Sequence, residues 1–154
     1  MATQNVERVA LMAIQPRFAR AILAGTKTIE FRKRTLAPDV RTILIYETSP
    51  TQRIVGEFDV YEHVVAAPAN LWRRFSDVGG IDAQSFDAYF AGRDEAVGLT
   101  ISTVRAYDRG VGLSELMPAP AIPQSFIYLD DDQAEQIRTR SSAAKRTERQ
   151  AAFA

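Results

Sequence analysis

The chain has no cysteine and a single histidine, His63, among its 154 residues. Without thiols it can have no cysteine nucleophile, disulfide, zinc ribbon or iron–sulfur cluster. One histidine is too few for a multi-histidine metal site. We therefore expect neither a metal ion nor another cofactor in this protein.

Long hydrophobic runs are also missing. No stretch approaches the roughly 20 apolar residues that a transmembrane helix needs. The N-terminal sequence MATQNVERVA lacks the basic and then apolar segments of a signal peptide. We expect a cytoplasmic protein without a membrane segment, and its length suits one compact domain.

Charge of one sign is not in excess, because Lys and Arg total 19 and Asp and Glu total 19. This balance excludes a polybasic protein that coats nucleic acid along its whole surface. The charges are unevenly placed, however, since residues 1–35 hold 7 Lys/Arg and 2 Asp/Glu. An anionic ligand would therefore meet a local basic patch in the N-terminal quarter.

The hydrophobic pattern predicts a mixed α+β fold. An apolar strand over residues 9–14 is followed by Pro16, which suits the first turn of a helix, and Gly25 suits the left-handed cap that ends it. From Lys27 the pattern changes to a period of two, which is typical of a strand. Further strands are predicted at 42–48, 53–61, 96–107 and 124–129, and further helices after Pro68 and after Asp82.

Aromatic side chains recur at helical spacing in the two later helices, with no basic residues between them. Such a stripe is typical of a buried face. We therefore assign Trp72, Phe75, Phe86, Tyr89 and Phe90 to the core. Arg93, beside Asp94 and Glu95, is expected to belong to a turn.

The composition changes after Leu129. Residues 130–154 begin with acids, continue with bases and contain few large apolar side chains. This pattern predicts a polar helix outside the core. We expect a folded domain over residues 1–129 and a separate polar tail over 130–154.

A series of short motifs spans residues 9 to 129. In order they are ALMAI, PRFARAILAG, GTKTIEFRKR, IYETSP, VGEF, YFAG and PQSFIYL. With this series the chain resembles the ASCH family, a branch of the PUA-like superfamily. The resemblance implies a small mixed β-barrel with flanking helices and a cleft beside the first helix and the GxKT turn. It also implies that the cleft binds RNA, a nucleotide or a modified nucleoside, in a regulatory or RNA-processing role.

The strand after Gly25 supplies the main candidates for ligand binding. Lys27 offers a cation with three donors, and Arg32 offers a planar fork that matches a phosphate or a base edge. Glu30 lies two residues from Arg32 on the same strand face, so it is either a ligand contact or half of a Glu30–Arg32 ion pair that orders the fold.

Other polar residues are candidates because of their place in the motifs. Ser49 could contact a ligand or only stabilise its turn. Gln124 and Ser125 follow a proline-rich segment and could recognise a base edge. Strand alternation makes Glu57 either a surface carboxylate, the more ordinary outcome, or a part of the cleft wall.

Two alternatives to a binding domain remain. Some ASCH relatives are hydrolases, namely amidohydrolases acting on acylated cytidine and ribonucleases. The amidohydrolase pattern places a lysine where this chain has Lys27, a threonine where it has Glu30, and a glutamate where it has Gly79-Gly80. Lys27 could act as a base, with Glu30 or Glu57 replacing the missing acid. The second alternative is a protein-interaction adaptor, which the polar tail would suit.

Overall fold

The computed structural model describes the backbone of residues 7–152 and the side chains of residues 7–142. It contains six strands, four α-helices and one short 3-10 helix in this part of the chain. The strands are β1 (Arg8–Ile14), β2 (Ile29–Arg32), β3 (Val40–Glu47), β4 (Arg53–Ala66), β5 (Ala96–Val111) and β6 (Phe126–Leu129). The helices are α1 (Pro16–Ala24), α2 (Pro68–Phe75), α3 (Ala83–Tyr89) and α4 (Asp131–Ala152), and the 3-10 helix is Leu113–Glu115.

The strands form one mixed sheet in the order β2-β5-β4-β3-β1-β6. Neighbours pair antiparallel except β1 and β3, which are parallel. The predicted α+β class is confirmed. The sheet is open between its edge strands β2 and β6, so the described residues do not form a closed barrel. At this gap the Arg32 side chain of β2 donates hydrogen bonds to Ser125 and Ala13, where a closed barrel would have backbone hydrogen bonds between strands.

Helix α1 has the bounds that the sequence predicts. Pro16 occupies its first turn, and Gly25 ends it with φ 82°, the left-handed conformation that glycine adopts without steric cost. Ala19 and Ile22 on its inner face are fully buried against the sheet. The turn after Gly25 therefore starts β2 at a fixed position beside α1.

The aromatic residues of α2 and α3 pack over β2. The Phe31 and Phe86 rings meet edge to face with centroids 5.0 Å apart, and the Phe86 and Phe90 centroids are 4.8 Å apart. Asp82 caps α3 by accepting a hydrogen bond of 2.7 Å from the Ser85 amide. The cluster fixes α3 next to β2, and another face of the helix lines the cleft.

Helix α4 corrects the prediction of a tail outside the core. The segment is helical as expected, but Ile137 is fully buried and Ala134 and Ser141 are nearly so. Ile137 packs in one cluster with Leu11 and Leu44 of the sheet. Over the described residues 131–142 the buried apolar side chains are those of Ala134 and Ile137. Residues 143–154 lie outside the part whose side chains are described. None of the described helices is long and apolar enough to cross a membrane.

Candidate functional site

An open cleft of about 730 Å³ lies where α1, β2, α3 and the segment before β6 meet. Among the described residues that line it, six side chains are cationic and one is acidic. The cations are Arg17, Lys27, Arg32, Lys33, Arg34 and Arg93, and the acid is Glu30. We call this site the basic cleft. The excess of positive charge draws anions toward it.

Lys27 lies at the bottom of the basic cleft and is 2% exposed. Its Nζ donates a hydrogen bond of 2.5 Å to the Gly79 carbonyl oxygen. The same nitrogen lies 5.1 Å and 5.2 Å from the ring centroids of Phe18 and Phe31. Burial lowers the pKa of the Lys27 amine, and the nearby charge of Glu30 opposes this shift. A lowered pKa favours proton exchange with a ligand.

The loop at Gly79 and Gly80 packs directly on Phe31 and Lys27 because both glycines lack side chains. A Cβ at Gly79 would lie 2.8 Å from Phe31 Cε2, and one at Gly80 would lie 3.1 Å from Lys27 Cβ. Gly80 also has φ +64°. Where the amidohydrolase pattern has a glutamate, this chain thus presents a backbone carbonyl to Lys27.

Glu30 also lines the cleft, and it is 6% exposed. The predicted alternative of a Glu30–Arg32 ion pair is wrong, since among the described side chains Glu30 forms no salt bridge. Its Oε2 is buried without a hydrogen-bond partner among the described residues. Burial raises the pKa of the Glu30 carboxyl, and the charges of Lys27 and Arg32 oppose the shift.

Arg32 connects β2 to the segment before β6. Its Nη2 donates to Ser125 Oγ at 2.6 Å, and its Nη1 donates to the Ala13 carbonyl oxygen at 3.3 Å. Gln124 is exposed at the same side of the cleft. The structure therefore brings together Lys27, Glu30, Arg32, Gln124 and Ser125, which the sequence singled out separately.

One wall of the cleft was missed by the sequence analysis. Ser85 and Tyr89 of α3 and the following Arg93 line it, with Ile81 before them. Lys33 Nζ lies 4.6 Å from the Tyr89 ring centroid. The signal was the spacing of four residues between Ser85 and Tyr89, which places them on one side of α3. Arg17 and Phe18 of α1 complete the opposite side.

Two residues that the sequence singled out, Ser49 and Glu57, do not line the basic cleft. Ser49 is exposed in the turn between β3 and β4, and its neighbour Thr48 lines the cleft instead.

Glu57 is 4% exposed, so the prediction of a surface carboxylate is wrong. Its Oε1 lies 3.2 Å from Arg105 Nε, and its Oε2 lies 3.4 Å from Arg138 Nη2. Helix α4 covers Glu57, and sequence alternation could not anticipate that contact. These neighbours, with Tyr107, line a separate hollow of about 400 Å³ that does not include the cleft residues.

Within the described residues, no group of three or more histidine or carboxylate side chains could hold a metal ion. The chemistry open to the basic cleft therefore rests on its own side chains: anion binding by the cations and proton exchange at Lys27 or Glu30.

The sequence and the fold both match known proteins. Residues 12–97 match the ASCH domain. An "ASCH domain-containing ribonuclease" of Zymomonas mobilis is 30% identical over 138 residues, which cover 86% of this chain and 92% of that protein. The crystal structure of ASCH from Zymomonas mobilis covers 86% of this chain and 95% of its own, with TM-score 0.81 and 26% identity.

A second relative is much longer than this chain. "Large ribosomal subunit protein uL22" of Ureaplasma parvum is 35% identical over 103 residues, or 67% of this chain. The match covers 33% of that protein, so the chain corresponds to about a third of its length.

Proposed function

This chain belongs to the ASCH domain family, and on that basis we propose that its basic cleft binds single-stranded RNA or a nucleotide through phosphate groups, in RNA processing or its regulation. The observation that carries the proposal is the charge of the cleft, where six cationic side chains accompany one carboxylate. Phosphate contacts to Lys and Arg dominate the affinity of most RNA-binding surfaces.

The shape of the cleft supports a single strand over a duplex. Lys27 and Glu30 lie at its bottom and are nearly buried, so a ligand reaches them by inserting a narrow group. The rim is formed by exposed cations, among them Lys33 and Arg34, which can contact the continuing backbone. The aromatic side chains of Phe18 and Tyr89 also line the site and suit an unpaired base.

The experiment compares two double variants that remove equal charge. Lys33→Ala/Arg34→Ala removes two exposed cations from the cleft rim, and Arg73→Ala/Arg74→Ala removes two exposed cations from α2. Fluorescence anisotropy with a labelled oligouridylate is measured over a range of salt concentrations. We expect the rim variant alone to bind more weakly, with a shallower dependence on salt. Equal affinity in both variants would contradict the proposal.

A second function, cleavage of RNA, is favoured by one feature of the site. The Lys27 amine is buried and its pKa is lowered, and the same cleft is lined by Arg32, whose guanidinium can stabilise negative charge on a phosphate. The relative from Zymomonas mobilis is named as a ribonuclease. In this proposal the neutral Lys27 amine accepts the proton of the ribose 2′-hydroxyl as that oxygen bonds to phosphorus. The bond from phosphorus to the 5′-oxygen breaks, Lys27 returns the proton to that leaving oxygen, and Arg32 holds the phosphate.

Cleavage is tested with single-stranded RNA in buffer containing a chelator. Lys27→Met keeps most of the apolar stem and removes the amine, so it should abolish cleavage while the fold persists. Arg73→Ala/Arg74→Ala serves as the control and should cleave like the wild type. RNA binding without cleavage by the wild type would leave the binding function in place and exclude this second one.

A further inference from the structure

Glu30 is an acid in a site that is otherwise cationic, and its surroundings do not match an ionised carboxylate. The side chain is 6% exposed, and Oε2 has no hydrogen-bond partner within the part of the chain that the structure describes. Lys27 donates to Gly79 and Arg32 donates to Ser125 and Ala13, so among the described contacts neither cation is hydrogen-bonded to Glu30, although the charges of both act on it. Burying an ionised carboxylate that accepts a backbone hydrogen bond from Phe31 but leaves Oε2 unpaired is costly, whereas burying a neutral carboxyl is much less so.

A phosphate in the basic cleft would increase this cost. An ionised Glu30 would repel the anion that the surrounding cations attract. A protonated carboxyl has an O–H donor, and hydrogen bonds from such a donor to an anionic oxygen are short and strong. Protonation of Glu30 thus replaces repulsion of the phosphate by a hydrogen bond to it.

We infer that Glu30 binds the ligand as a neutral acid and donates its O–H to a non-bridging oxygen of a phosphodiester. The inference rests on the proposed function, since it names how one residue of the basic cleft meets the phosphate. Burial already raises the pKa of the carboxyl in the free protein, which agrees with this role. Ligand binding and proton binding at Glu30 then favour each other reciprocally.

The groups that face Glu30 determine how a test must be controlled. Lys27 approaches from the turn after α1, Arg32 lies on the same strand, and the Tyr89 hydroxyl approaches from α3. On the neighbouring strand β5 the paired residue is Leu99, which does not titrate. Lys27 also loses a proton as the pH rises, so its contribution must be separated from that of Glu30.

The probe is an oligouridylate with hydroxyl groups at both ends. It carries only phosphodiesters and lacks a terminal phosphate, whose second pKa is about 6. Its affinity is measured for the wild type, Glu30→Gln and Lys27→Met between about pH 5.5 and about pH 8.5. Thermal melting of each variant confirms that it is folded.

We expect wild-type affinity to fall at least about fivefold as the pH rises. A factor of about five is the lower end of the typical effect that binding at one site has on affinity at another. Glu30→Gln, which is neutral and keeps a donor, should not show this fall. Lys27→Met should bind more weakly overall but retain the fall, moved to higher pH, because the charge of Lys27 lowers the pKa of Glu30.

A fall that persists in Glu30→Gln and disappears in Lys27→Met would assign the proton to Lys27 and overturn the inference. A wild-type affinity that is independent of pH would also overturn it, while leaving RNA binding intact. If the wild type binds no RNA at any pH, the proposed function itself fails.

Calorimetry of the wild type in two buffers with different ionisation heats provides a test that needs no variant. We expect a net uptake of protons on binding near the middle of the pH-dependent range. No net uptake there would contradict the inference.

Discussion

The Arg32 guanidinium on β2 donates hydrogen bonds to Ser125 Oγ at 2.6 Å and to the Ala13 carbonyl oxygen at 3.3 Å. These contacts join the two open edges of the sheet, since β2 and β6 are its outermost strands. They also hold the guanidinium in the basic cleft. The Arg32 side chain therefore both joins the edges of the sheet and forms part of the candidate site.

The contact between Arg32 and Ser125 is expected to stabilise the fold measurably. In a double-mutant cycle with Arg32→Ala, Ser125→Ala and both changes, we expect a coupling energy of about 1–3 kcal/mol, as for hydrogen bonds with one charged partner. Urea unfolding gives the four free energies of unfolding. Additive effects of the two changes would show that the Arg32–Ser125 hydrogen bond contributes nothing to stability.

Gly80 is expected to tolerate alanine less well than another glycine with a similar backbone. Gly80 has φ +64° and packs on Lys27, whereas Gly92 has φ +76° and open space within 4 Å. Both Gly80→Ala and Gly92→Ala strain the backbone, but only the first also crowds the Lys27 stem. Thermal melting should show a larger loss of stability for Gly80→Ala, and equal losses would argue against the packing.

Helix α4 is expected to be part of the folded unit. Ile137→Ala should lower the free energy of unfolding by about 2–5 kcal/mol, because the side chain is fully buried. Ile122→Ala is the matched control, since Ile122 is 63% exposed and should change stability by less than about 0.5 kcal/mol. Chemical denaturation of both variants checks this. Equal, small effects would show that α4 is dispensable.

The raised pKa of Glu30 predicts a dependence of stability on pH. Above the ordinary pKa of 4.5 the unfolded chain releases a proton that the folded protein keeps, so the folded state binds more protons. The free energy of unfolding therefore falls as the pH rises from 4.5 through the raised pKa. The free energy of unfolding of Glu30→Gln should not show this fall with pH. A wild type and a variant with parallel pH profiles would contradict the prediction.

Local signals in the sequence predicted the elements that build the cleft. Pro16 and Gly25 mark the ends of α1 because proline fixes φ and glycine adopts positive φ. Strand alternation placed Glu30 and Arg32 on a common side of β2, and both line the cleft. These predictions succeed because they depend only on the residues within one element.

Contacts between distant elements could not be predicted in the same way. Glu57 is covered by Arg138 of α4, and Ile137 of the same helix is buried in a cluster with Leu11 and Leu44 of the sheet. Tyr89 has the helical spacing of a core residue and packs against the cluster that contains Phe86 and Phe90, but it also lines the cleft. The hydrophobic pattern of one element does not show which of its residues a distant element will cover and which will line a cleft.

The location of bound RNA tests the central claim most directly. In a titration of isotope-labelled protein with oligouridylate, amide resonances should shift around Lys27, Arg32, Tyr89 and Ser125, the residues that line the basic cleft. Resonances around Tyr107 and Arg138, which line the separate hollow beneath α4, should stay in place. Shifts confined to that second region, with the cleft unchanged, would contradict the account.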